Sequence, residues 1–203
     1  MATNHPAASA ISAGERSRAS NRVTLVSIAV NIVIALAQVI VGVLGHSQGL
    51  IADGVHTLSD LLSDFLVLFA VKHAAREADE DHPYGHARYE TAATLALGIM
   101  LVLVAVGIAW AAGKRLLHPD LLQDVHRYAI WAAAGTIIAK EGLYQYTAAT
   151  GRRVKSQLLI ANAWHHRSDA ISSVMVLLGI LGNLAGYRWL DSAAAIGVAL
   201  MIG

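Results

Sequence analysis

The sequence predicts an all-α membrane protein, a six-transmembrane-helix bundle whose last helix is truncated. Three observations carry this. Of 203 residues, 56% are hydrophobic and only 14% charged, a more apolar balance than soluble domains of this size show. The charges gather in the N-terminal segment and the connections, although the net charge is only +1. Between them lie six apolar runs, and the first five reach the roughly 20 residues that cross a hydrocarbon core.

The elements follow in order. Residues 1–22 are rich in Ala, Ser and Arg and lack an apolar stretch or a cleavage signature, so they are expected to form a disordered cytoplasmic tail rather than a signal peptide. Residues 23–203 form the transmembrane domain, with spans expected at about 23–44, 50–74, 90–116, 125–149, 158–184 and 189–203. The sixth run would cover only about 22 Å of a roughly 30 Å core, hence the expectation of a shortened helix. Short links such as Gly45-His46-Ser47-Gln48-Gly49 imply antiparallel neighbours and a compact bundle.

Lys and Arg in the connections set the expected orientation. Arg16, Arg18, Arg22, Lys72, Arg76, Arg88, Arg152, Arg153 and Lys155 fall on one side, against Lys114, Arg115, Arg127 and Arg188 on the other. The excess favours a cytoplasmic N-terminus, and a bacterial-type inner membrane is the expected host. The charge pattern argues against nucleic acid as a partner. Cysteine is absent, so any metal must be held by nitrogen and oxygen.

The chemistry lies in the second and fifth spans. His56 and Asp60 are four residues apart, as are His165 and Asp169. On a helix this spacing puts imidazole and carboxylate on one face, so two facing helices can offer four ligands to one ion. Two His and two Asp suit a divalent transition metal, zinc above all, with cadmium, cobalt, iron and manganese left open. Asp53, His56, Asp60 and Asp64 draw a stripe along the second span, matched by Asn162, His165, Asp169 and Ser172 on the fifth. Interhelical hydrogen bonds are the bland explanation of such stripes, but packing does not require the same His-x-x-x-Asp spacing twice. Asp53 and Asp64 are expected to support the His residues, or to line the path, more than to coordinate.

The connection after the second span is the next candidate. Asp79, His82 and His86 surround a Pro83-Tyr84-Gly85 turn and can close on a metal, or equally form a solvated acidic loop with His86 capping the next helix. Glu90 begins the third span and is read as a partner of Arg88 or of a ligand's second nitrogen. Asn31 and Gln38 share a face of the first span, and Lys140-Glu141 pair locally or with neighbouring helices, both read as packing. His166 and Arg167 point away from the metal face. His46, His118 and His126 are read as solvated.

These residues resemble the cation diffusion facilitator family of divalent-metal/proton antiporters. The resemblance is carried by the blocks 47–60, 82–90 and 163–169, in order. It implies a transport site of His56, Asp60, His165 and Asp169, a loop site of Asp79, His82 and His86, a preference for zinc, and a homodimer. Members usually continue into a small cytoplasmic α/β domain, which has no counterpart after the sixth run here, so the chain is expected to be a fragment.

The expected mechanism is alternating access around the four ligands, with zinc exported from the cytoplasm in exchange for protons that compete for the same lone pairs. No covalent chemistry is required, so the chain reads as a secondary transporter rather than an enzyme. An intramembrane metalloprotease is the competing reading, but its His-Glu-x-x-His pattern does not occur. A membrane scaffold that binds metal without moving it is the other.

Overall fold

Why these residues form helices follows from the medium, since a chain in hydrocarbon must satisfy every backbone N–H and C=O within itself. A computed structural model of the chain describes residues 13–74 and 87–202. They form α1 (Ala13–Leu44), α2 (Gln48–Ala74), α3 (Ala87–Leu117), α4 (Tyr128–Val154), α5 (Gln157–Leu184) and α6 (Trp189–Ile202), with a short 3-10 turn at Pro119–Leu121. No strand occurs among the described residues. The protein is an all-α membrane protein, with six α-helices among the described residues.

The distribution of side chains is inverted relative to a water-soluble bundle. Gln38, Asp53, His56, Lys140, His166 and Asp191 are buried, whereas Leu25, Val33, Ile40, Leu103, Trp131 and Leu200 are exposed. An outer surface this apolar fits lipid, and the polar groups turn inward where other helices can satisfy them. Among the described residues, three helices meet length and hydropathy requirements for a span on composition alone, over Arg18–Leu44, Gly98–Leu117 and Gln157–Leu184. Ionisable residues dilute the other two long cylinders that stand beside the site, α2 with Asp53 and Asp60, α4 with Lys140 and Glu141.

Helix α4 packs on α5 and α1, α1 on α2, and α6 on α2, α3 and α5. Leu50, Ala52, Ala112, Ala129, Val176 and Val198 meet in the core between α2, α3, α4, α5 and α6. A β-carbon on Gly54 would stand 2.8 Å from Val39 Cγ2 and 3.0 Å from Gln38 Cβ. Only a glycine lets α1 and α2 approach so closely at this level, and that approach brings Gln38 to Asp53.

Two expectations are corrected here. Residues 13–22, expected within a disordered tail, are the first turns of α1. Ala19 and Val23 pack on Val154 and Leu159 at the α4–α5 link, and this tertiary burial holds a segment that its composition alone does not. The third helix also begins at Ala87, ahead of the apolar run. Residues 1–12, and the loop candidates Asp79, His82 and His86, lie outside the described residues.

Two buried side chains tie the links together. Asn183 accepts from the Val125 N–H at 2.9 Å and donates to the Gln123 and Arg188 carbonyls at 3.1 and 3.0 Å. Asp191 on α6 accepts from Ser47 Oγ at 2.6 Å and from the N–H groups of Gln48 and Gly49 at 2.6 and 3.4 Å. Its carboxylate thereby caps the N-terminus of α2, where unpaired N–H groups and the helix dipole favour negative charge. Asp191→Ala is expected to destabilise the bundle by about 1–3 kcal/mol, measured as a lower thermal midpoint in detergent. An unchanged midpoint would mean the cap adds nothing.

Candidate metal centre

The four predicted ligands come from two helices running in opposite directions. On α2, Asp53, His56 and Asp60 share a face, and Leu50 and Ala52 of the same helix lie in the core. On α5 the residues buried against its neighbours include Leu159, Ala163, His166, Ala170 and Ser173. His165 and Asp169 sit one position to the side of that stripe, toward α2.

The structure brings all four side chains together. His56 Nδ1 lies 3.6 Å from Asp60 Oδ1, and His56 Nε2 lies 4.0 Å from Asp169 Oδ1. His165 Nε2 lies 3.9 Å from Asp60 Oδ2 and 3.6 Å from Asp169 Oδ2. Imidazoles and carboxylates therefore alternate round a closed ring. One donor atom each from His56, Asp60 and Asp169 falls within a sphere of contacts no longer than 4.8 Å.

Those separations can be compared with a metal's demands. A tetrahedral zinc with bonds of about 2.0–2.2 Å sets its donors about 3.3–3.6 Å apart. The edges of the ring run through both nitrogens of His56 and both oxygens of each carboxylate, so the set with one donor atom per residue is the wider one, within 4.8 Å across His56, Asp60 and Asp169. His56 Nδ1 is buried and has no hydrogen-bond partner. A buried unpaired nitrogen is costly, and a cation would remove the cost.

Exposure is graded along the ring. The side chains of His56 and Asp169 are 10% and 12% exposed, Asp60 24% and His165 51%. The more open members are those nearer the α4–α5 link.

The remaining candidates separate cleanly. Asp53, expected to support the His residues, instead pairs with Lys140 at 3.3 Å, with Gln38 as a further donor to its carboxylate. The spacing on α2 could not reveal this, because the partner lies on α4. Lys140 and Glu141 do not pair with each other, since Glu141 accepts from Gln145 at 2.8 Å. His166 is buried with neither ring nitrogen hydrogen-bonded. Arg167 lies over the Tyr144 ring at 4.7 Å and donates to its hydroxyl at 3.1 Å. His46 and His126 are exposed and face each other at 5.2 Å between ring centroids. Asn183, Asp191 and Ser173 are among the buried polar residues that sequence reasoning passed over. For Asp191 the available signal was an acidic residue in the first turn of a helix.

The family model described as the cation efflux transmembrane domain matches residues 24–203. An uncharacterized transporter of Methanocaldococcus jannaschii is 39% identical over 178 residues, covering 88% of this chain and 62% of that protein. Mitochondrial metal transporter 2 of Saccharomyces cerevisiae is 35% identical, covering 80% of this chain and 38% of that protein. The manganese efflux system protein MneP of Bacillus subtilis is 34% identical, covering 93% of this chain and 64% of that protein. The chain thus spans less than two thirds of the length of each of these relatives.

Proposed function

The chain belongs to the cation efflux family, and from that premise we propose that it carries divalent metal cations, zinc before others, across a membrane in exchange for protons. The observation that carries the reading is the closed ring of His56, Asp60, His165 and Asp169, with edges of 3.6–4.0 Å. Two carboxylates match the charge of one dication, so the loaded site is neutral and its desolvation cost falls. Two imidazoles favour a transition metal over magnesium or calcium. A site without thiolates holds zinc firmly enough to select it and weakly enough to release it.

Protons compete for the same lone pairs, so proton entry on the far side displaces the ion and an inward proton gradient drives export. Exposure graded toward the α4–α5 link fits loading from that end, which the Lys and Arg distribution assigns to the cytoplasm. Alternating access then needs only a change in which end of α2 and α5 is covered. A homodimer in the inner membrane, with a cytoplasmic N-terminus and a further metal site at Asp79, His82 and His86, completes the proposal.

Manganese is the second reading, favoured by the manganese efflux relative. The N2O2 donor set supports zinc over manganese, because manganese prefers oxygen-rich octahedral shells. Zinc titration of the purified chain is expected to give one ion at the ring, with protons released on binding and affinity falling as pH is lowered through the imidazole range. Tighter binding of manganese than of zinc would overturn the preference. Absence of any binding would remove the site.

A further inference from the structure

Beyond the ring, toward the α1–α2 link, the polar stripe on α2 continues to Asp53, which has no place among the four donors. Its carboxylate is 0% exposed and stands 3.3 Å from the Lys140 ammonium, itself 1% exposed. Lys140 Nζ also donates to Ser173 Oγ at 3.1 Å, and Ser173 Oγ lies 2.6 Å from Asp53 Oδ2. Gln38 donates to the same carboxylate oxygen, and Ser172 Oγ lies 3.5 Å from the other. The Ser172 and Ser173 hydroxyls also reach the Asp169 carbonyl at 2.8 and 3.0 Å, so this cluster shares a turn of α5 with a metal donor.

We propose that Lys140 is a positioning residue that acts as a tethered cation: its ammonium occupies the far end of the carboxylate stripe, withholds Asp53 from the metal and limits the path to one divalent ion. This rests on reading His56, Asp60, His165 and Asp169 as the transport site. Asp53 and Lys140 together are neutral, so the ion meets only the charges of Asp60 and Asp169. Without the ammonium, a buried uncompensated carboxylate would stand about one helical turn from His56 and attract a dication strongly. Oxygen donors to complete such a second station are already in place. Gln38 Oε1 is buried with no hydrogen-bond partner, and the two serine hydroxyls face the same carboxylate. An ammonium with three donors and a single charge fills that cage without offering a coordination site.

The test is zinc titration of the purified full chain, with zinc flux in proteoliposomes, on Lys140→Met, Asp53→Asn and the double variant. Lys140→Met is expected to bind a second zinc, or the first about tenfold tighter, with flux reduced because the ion is retained. The double variant is expected to return to one zinc at wild-type affinity. A folded Lys140→Met protein with wild-type stoichiometry, affinity and flux overturns the proposal, as does a double variant that behaves like Lys140→Met. If Lys140→Met does not fold, the double variant decides the matter, because it removes both charges and leaves no unpaired ammonium beside the ring. Unchanged zinc affinity there supports a withheld carboxylate, and a loss of about tenfold overturns it, because Asp53 would then already be a donor; Asp53→Asn alone is expected to bind zinc more weakly, since it leaves the Lys140 ammonium unpaired. Zinc binding absent from the wild type, or untouched by Asp169→Ala, would count against the transport site and not against the role of Lys140.

Discussion

Asp169→Ala is expected to abolish zinc flux. Asp169 touches both imidazoles, at 4.0 Å from His56 and 3.6 Å from His165, so its loss opens the ring on two edges. It also leaves a dication facing a single carboxylate in a site where Asp169 itself is only 12% exposed. Removing one partner of a buried charge pair costs about 3–5 kcal/mol, which corresponds to roughly 100-fold to several-thousand-fold in occupancy. Flux of zinc into a dye inside proteoliposomes, driven by an imposed pH gradient, should fall to background. Asp60→Ala should do the same, since Asp60 closes the opposite edges. Wild-type flux in either variant would remove the carboxylates from the path.

His56→Asp should change which ion is carried more than whether one is carried. The substitution replaces a buried nitrogen donor with a third carboxylate, and the shorter side chain widens a cage whose edges are already 3.6 and 4.0 Å at this residue. A wider, more negative and oxygen-richer cage loses its tetrahedral preference. Discrimination of zinc against cadmium, read as the ratio of initial rates in competition, is expected to fall by about tenfold, near 1.4 kcal/mol. An unchanged ratio would show that His56 does not hold the ion.

Much of the candidate site was legible because its signal is local. The interval from His56 to Asp60, like that from His165 to Asp169, is one helical turn, and any helix places those pairs on a common face. The apolar exterior was legible too, since spans of 20 residues or more announce themselves in composition. The opening turns of α1 were not, because Ala13 to Arg22 owe their order to Ala19 and Val23 meeting Val154 and Leu159, far along the chain. The capping of α2 by Asp191 is hidden for the same reason, the partners being more than 140 residues apart.

The sequence by itself determined a helical membrane domain with two His-x-x-x-Asp turns, because helix periodicity and hydrocarbon solvation act on contiguous residues. Tertiary structure alone decided that the two turns face each other in one ring. It alone decided that Asp53, on the same stripe as His56, turns to Lys140, 87 residues away. A helix face fixes the direction in which a side chain points, whereas its partner is set by how helices pack, and in a buried site the partner decides whether a carboxylate is free for a metal.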